Sequence, residues 1–150
     1  MATVTLNQQI NAPIDAVFAR ATDFANAASV IGGIQKVDML TQGEVGPGTR
    51  FRETRVMFGR EATEEMTVER FEPPNLYTLS AASHGSEYLT SFQLTERDGS
   101  THVEMTFQAT PKSLFAKLMN GLLGKMMVKT IVTECSKDLD DLRTAVERDH

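Results

Sequence analysis

Glu53 and Arg55 stand two positions apart in the run TRFRETRVMF, residues 49–58. In an extended strand alternate side chains share a face, so these two project together with Phe51. Arg50 and Arg52 need water more than Phe51 does, and the parity that exposes them turns Phe51, Glu53 and Arg55 toward an interior. A carboxylate and a guanidinium side by side in a half-dry site polarise a carbonyl oxygen or orient an enol. His84, in the turn SHGSE beside Glu87 and Tyr88, is a third candidate, because imidazole exchanges protons near neutral pH. Glu53, Arg55 and His84 form the candidate catalytic set.

Candidate ligand-facing residues are apolar or amphipathic, as in most small-molecule pockets. Phe51, Tyr77, Tyr88, Phe92 and Phe107 supply aromatic surface from runs that alternate like strands. Met119, Leu122 and Met126 come from LFAKLMNGLLGKMM, residues 114–127, the most apolar stretch of the chain. Methionine adapts to varied shapes, which suits a ligand wall or a partner surface as well as a core gap.

Other chemistries lack their residues. One cysteine, Cys135, allows no internal disulfide and no set of thiolate ligands. The three histidines have no metal-ligand spacing. No phosphate-binding glycine loop, serine elbow or Cys–His nucleophile pair is present. Neither a metal nor a cofactor is expected. A net charge of −5 argues against a nucleic-acid partner. The longest uncharged piece of the apolar stretch, 118–124, is far short of the roughly 20 residues a spanning helix needs, so no stable membrane insertion is expected. The opening MATVTLNQQINAP lacks the basic and apolar regions of a secretion signal, and a cytoplasmic protein is expected.

Positioning these groups requires a scaffold, and 150 residues suffice for a single domain spanning 1–150. Val4, Leu6 and Ile10 alternate with polar residues as in a half-buried strand. NAPIDAVF opens a helix at Pro13, and a second short helix fits 23–28. Six further strand runs follow, near 34–41, 49–58, 60–71, 75–83, 86–96 and 101–109, separated by the turns GEVGPGT, EPPN, SHGSE and RDGS. Thr110 as cap and Pro111 in the first turn then open a long final helix. The layout predicts an α+β domain, with helices on one face of a curved antiparallel sheet. On a helical wheel Phe115, Leu118, Met119, Leu122, Leu123 and Met126 form one stripe. Val128, Ile131, Val132, Cys135, Leu139, Leu142 and Val146 form another, roughly 160° away. The switch falls after Gly121 and Gly124, which predicts a kink or break there.

The segments INAPIDAVFARATDFANAASVIGGIQKVDML, GEVGPGTRFRETRVMFGREATEEMTVERFEPPNLYTL and DGSTHVEMTFQATPKSLFAKLM together resemble the SRPBCC superfamily. Within it they are most similar to the START-related polyketide cyclase/dehydrase type. The resemblance runs from about Val4 to Glu147 and rests on scaffold motifs. It implies a helix-grip fold: a seven-stranded curved antiparallel sheet around a long C-terminal helix, with two short helices after the first strand. It also implies an apolar cavity for a small hydrophobic molecule such as a lipid, a polyketide or an isoprenoid-like compound. It carries no catalytic motif onto numbered positions. Three readings stay open: a ligand-binding protein, a cyclase or dehydrase using polar cavity residues for proton transfer, and an interaction module or homodimer built on the Met-rich half of the last helix.

Overall fold

The computed structural model describes residues 2–149 except 58 and 84, and leaves undescribed the side chains of residues 2, 57, 115, 116, 118–125 and 127. Chain order is β1 (Ala2–Ile10), α1 (Ile14–Ala21), a 3-10 helix (Phe24–Ser29), β2 (Ile34–Met39), β3 (Arg50–Met57), β4 (Arg60–Glu72), β5 (Leu76–Ser83), β6 (Ser86–Arg97), β7 (Ser100–Pro111) and α2 (Leu114–Asp149). The seven strands form one antiparallel sheet in the order β1-β7-β6-β5-β4-β3-β2. The fold is the helix grip.

Local chemistry explains most boundaries. Pro13 is the extended residue just before α1, one place earlier than its expected position inside the helix. Asp98 and Gly99 both have positive φ, the geometry of a two-residue hairpin turn, and they return β6 into β7 with Arg97 opposite Ser100. The register shifts between Ile34 and Lys36, and again between Val68 and Arg70. Such irregularities bend strands and increase their twist, which lets a sheet curl over a helix.

The start of the last helix differs from expectation. Thr110 and Pro111 continue β7 opposite Glu87 and Ser86, and the amides of Lys112 and Ser113 donate to the Gly85 carbonyl at 2.8 and 3.1 Å. Proline is tolerated at such a strand end because its missing N–H interrupts nothing further along the ladder. The break expected at Gly121 and Gly124 is also absent: α2 runs unbroken through both. Each glycine costs a helix only about 1 kcal/mol relative to alanine, too little to interrupt a helix of 36 residues.

An unbroken helix turns only one of its two apolar stripes inward along its C-terminal half. Leu139, Leu142 and Val146 are buried with Ile10, Ala12, Ile14, Val17 and Phe18. Met126, about 160° around the wheel from Leu142, is 72% exposed. Among the described residues, polar ties from α2 to the sheet and loops lie in this same half. Gln8 Nε2 donates to Asp140 (2.7 Å), the Asn11 amide to Glu147 (2.8 Å) and the Gly32 amide to Asp141 (2.9 Å). A Cβ on Gly32 would meet Asp141 Oδ2 at 3.4 Å, so glycine permits that close approach.

At this end the concave face is filled by rings. Phe24 stacks on Phe51 and Tyr77 on Phe92, each pair with centroids 4.6 Å apart, and Phe18 lies against both Phe71 and Tyr77. Toward the other end the packing loosens. Leu94, Val103 and Ile10 are buried, whereas Leu79, Thr90 and Phe107, and then Ala81, Tyr88 and Ala109, are only half-buried although the ladder turns them to the same face. The concave face is well buried at the α1 end and only half-buried along Leu79, Tyr88 and Phe107.

Candidate functional site

The expected parity of β3 is the one observed. Phe51 and Glu53 are buried, and Arg55 points with them toward the helix. Arg55 Nη2 donates to Glu53 Oε1 at 2.9 Å and to Asp138 Oδ2 at 3.0 Å, and Nη1 lies 3.4 Å from Asp138 Oδ1. Side-chain exposures of 18% for Arg55, 10% for Glu53 and 23% for Asp138 place the trio in a largely dry setting. Gly33 lies beside the guanidinium: a Cβ there would stand in ordinary contact, 3.6 Å from Arg55 Nη1. The trio links the sheet to the helix.

Its electrostatics are lopsided. Burial opposes the charge on Arg55, but Glu53 and Asp138 outweigh it and hold the guanidinium more firmly protonated than usual. Burial pushes the Asp138 carboxyl up from 3.8 to about 6; Arg55 opposes this, while Glu53 and Glu134 add to it. A carboxyl poised near neutrality beside a fixed cation can both give and take a proton under ordinary conditions. Cys135, one turn before, is held as a thiol: burial first, then Asp138, push it up to about 12.

The poised carboxyl sets a pH dependence with a definite sign. Between about pH 4 and pH 6 the folded protein keeps a proton on Asp138 that the unfolded chain has released. Its contribution is therefore complete at low pH and lost as pH rises through 6. Replacing Asp138 with Asn should remove a stability decline of about 2 kcal/mol across that window, read from urea unfolding at about pH 4.5 and pH 7. Identical pH profiles for the two proteins would refute the assignment.

The remaining candidates separate. Phe51 and Tyr77 belong to the aromatic core, each 3% exposed, and Phe92 stacks on Tyr77 at its edge. Tyr88 and Phe107 stack on each other, centroids 5.7 Å apart, in the half-open part of the concave face. Burial, then the nearby Glu64 carboxylate, raise the proton affinity of the Tyr88 phenol. Met126 departs from its expected place between helix and sheet, because the unbroken helix carries it to the outside. His84 and the side chains of Met119 and Leu122 lie outside the described residues. Among the described residues no three His, Cys, Asp or Glu side chains group as metal ligands, and no helix is long and apolar enough to cross a membrane.

Asp138 escaped the sequence reading. Its signal was a carboxylate placed three residues after Cys135 and four before Leu142, beside an otherwise apolar stripe. A charge at the border of a core-facing stripe needs a partner from another element.

A curled seven-stranded sheet, closed at one end by α1 and held by a terminal helix, coincides with a family pattern that covers residues 1–147, described as polyketide cyclase / dehydrase and lipid transport. The chain belongs to that family. Solved structures agree in fold. A START superfamily protein from Mycobacterium smegmatis superimposes with a TM-score of 0.82 at 14% identity, covering 99% of both chains. The Zhui aromatase/cyclase from a Streptomyces species gives 0.81 at 15% identity, covering 98% of this chain and 94% of that one. A protein of Thermus thermophilus gives 0.72 at 16% identity, covering 96% and 99%. Among curated proteins compared by sequence, none matches. On this scaffold the chain places the Glu53–Arg55–Asp138 trio.

Proposed function

We propose that this protein binds a small hydrophobic molecule, a lipid, polyketide or isoprenoid-like compound, between its sheet and α2, in the cytoplasm. The observation that carries the reading is the half-buried state of Leu79, Ala81, Tyr88, Thr90, Phe107 and Ala109, side chains the ladder turns to the concave face. Core positions of a filled domain are close-packed, and partial exposure at six neighbouring inward positions supports room for a guest. Membership of a family whose description includes lipid transport supports it.

A second reading, proton-transfer catalysis of the cyclase or dehydrase kind, is favoured by one observation. Arg55 holds a carboxyl whose proton affinity has been pushed up toward neutrality. Asp138 would take a proton from a carbon next to a ligand carbonyl, and the guanidinium edge would steady the enolate oxygen. The fold shared with an aromatase/cyclase is compatible with this chemistry.

Native mass spectrometry of the protein purified from its own host tests the binding reading. The expected result is a co-purifying hydrophobic molecule whose mass identifies its class. A bare protein that also fails to bind a neutral apolar fluorophore would overturn it. The same spectrum reports a homodimer, which the exposed Leu114 and Met126 on α2 would favour.

A further inference from the structure

We propose that the interior selects hydrophobic molecules whose polar end is a hydrogen-bond donor without negative charge, a hydroxyl, an enol or a protonated amine, and rejects carboxylate-ended chains. The inference rests on the binding reading above and narrows it to a ligand class. It follows from the charge count around Arg55. Two carboxylates, Glu53 and Asp138, share a single guanidinium, and a third, Glu134, acts together with Glu53 on Asp138. A cluster of this composition repels a further anion.

The guanidinium relieves that repulsion only in part, because Glu53 and Asp138 take up three of its five N–H groups. Nη2 already donates to both Glu53 and Asp138, and Nη1 faces Asp138. A ligand carboxylate reaching the remaining N–H groups would sit beside Glu53 and Asp138, the carboxylates already bound there. A donor group meets the opposite situation. Glu53 meets Arg55 through Oε1, leaving Oε2 as an acceptor, and the aromatic faces of Tyr88 and Phe107 take the apolar body. Ionised acceptors make the stronger class of hydrogen bond with such donors.

The test uses three chains of equal length, dodecanol, dodecylammonium and dodecanoate, displacing the neutral fluorophore N-phenyl-1-naphthylamine from the intact protein at about pH 8. Dodecanoate should compete at least about tenfold more weakly than either of the others. In Asp138→Asn and Glu134→Gln the gap should narrow several-fold; two variants are used so that misfolding of one leaves the other to decide. Equal competition by dodecanoate, or an unchanged gap in both variants, overturns the selectivity while leaving the cavity standing. Failure of the fluorophore and all three chains to bind removes the cavity itself, and this inference with it.

Discussion

Replacing Arg55 with Ala should destabilise the protein by about 3 kcal/mol at about pH 8, because two largely buried carboxylates lose their shared cation. The loss should shrink at about pH 5, where Asp138 takes up a proton and stops repelling Glu53. Urea unfolding at the two pH values checks both statements. The cost reflects stranded charge and not the net worth of the network. Removing all three groups together, Arg55→Met with Glu53→Leu and Asp138→Leu, should leave stability within about 1 kcal/mol of the original or above it. A single Arg55→Ala variant that unfolds like the parent at both pH values would show that the trio is solvated and carries no strain of desolvation.

The second large effect is expected at Tyr77. Its ring stacks on Phe92 at 4.6 Å and meets Phe18 and Phe24 at 5.7 and 6.0 Å, edge to face. Truncation to Ala removes this hub, and aromatic-to-alanine changes in cores cost about 3 to 5 kcal/mol. With so many ring partners the upper half of that range is expected, about 4 kcal/mol. Tyr77→Phe should behave differently. Burial alone raises the proton affinity of the phenol, and among the described residues no hydrogen bond reaches its hydroxyl. Losing a hydroxyl without such a partner should be neutral or stabilising by up to about 1 kcal/mol. Thermal or denaturant unfolding of the pair separates ring packing from the hydroxyl, and a costly Tyr77→Phe would reveal a polar role for that oxygen.

Much of this arrangement was readable from local chemistry. The alternation of Val103, Met105 and Phe107 placed β7, and Asp98-Gly99 its hairpin, because strand parity and turn conformation are decided by near neighbours. Arginine hydration at positions 50 and 52 was enough to orient Glu53 and Arg55 correctly. Asp138 lies 83 residues from Arg55 in sequence, and nothing local announces that pairing. The continuous α2 was missed for a related reason. Two glycines and a change of apolar face read as a break only if both stripes must touch the sheet, and Met126 shows that one of them need not. The half-buried end of the concave face was likewise invisible, since burial there depends on how sheet and helix come together.

The location of the helix ties also bears on how the chain is made. β1 is an edge strand that pairs, among the described residues, with β7 alone, Ala2 opposite Ala109. Gln8 and Asn11 are then fastened by Asp140 and Glu147. During synthesis the first strand must wait through about a hundred residues for its neighbour, and longer for the groups that lock it. Such distant closure is slow and leaves apolar edges bare meanwhile. The nascent protein therefore passes most of its time on the ribosome with its first and last structural layers unassembled, a window in which holding chaperones would matter more than for a helical bundle of equal length.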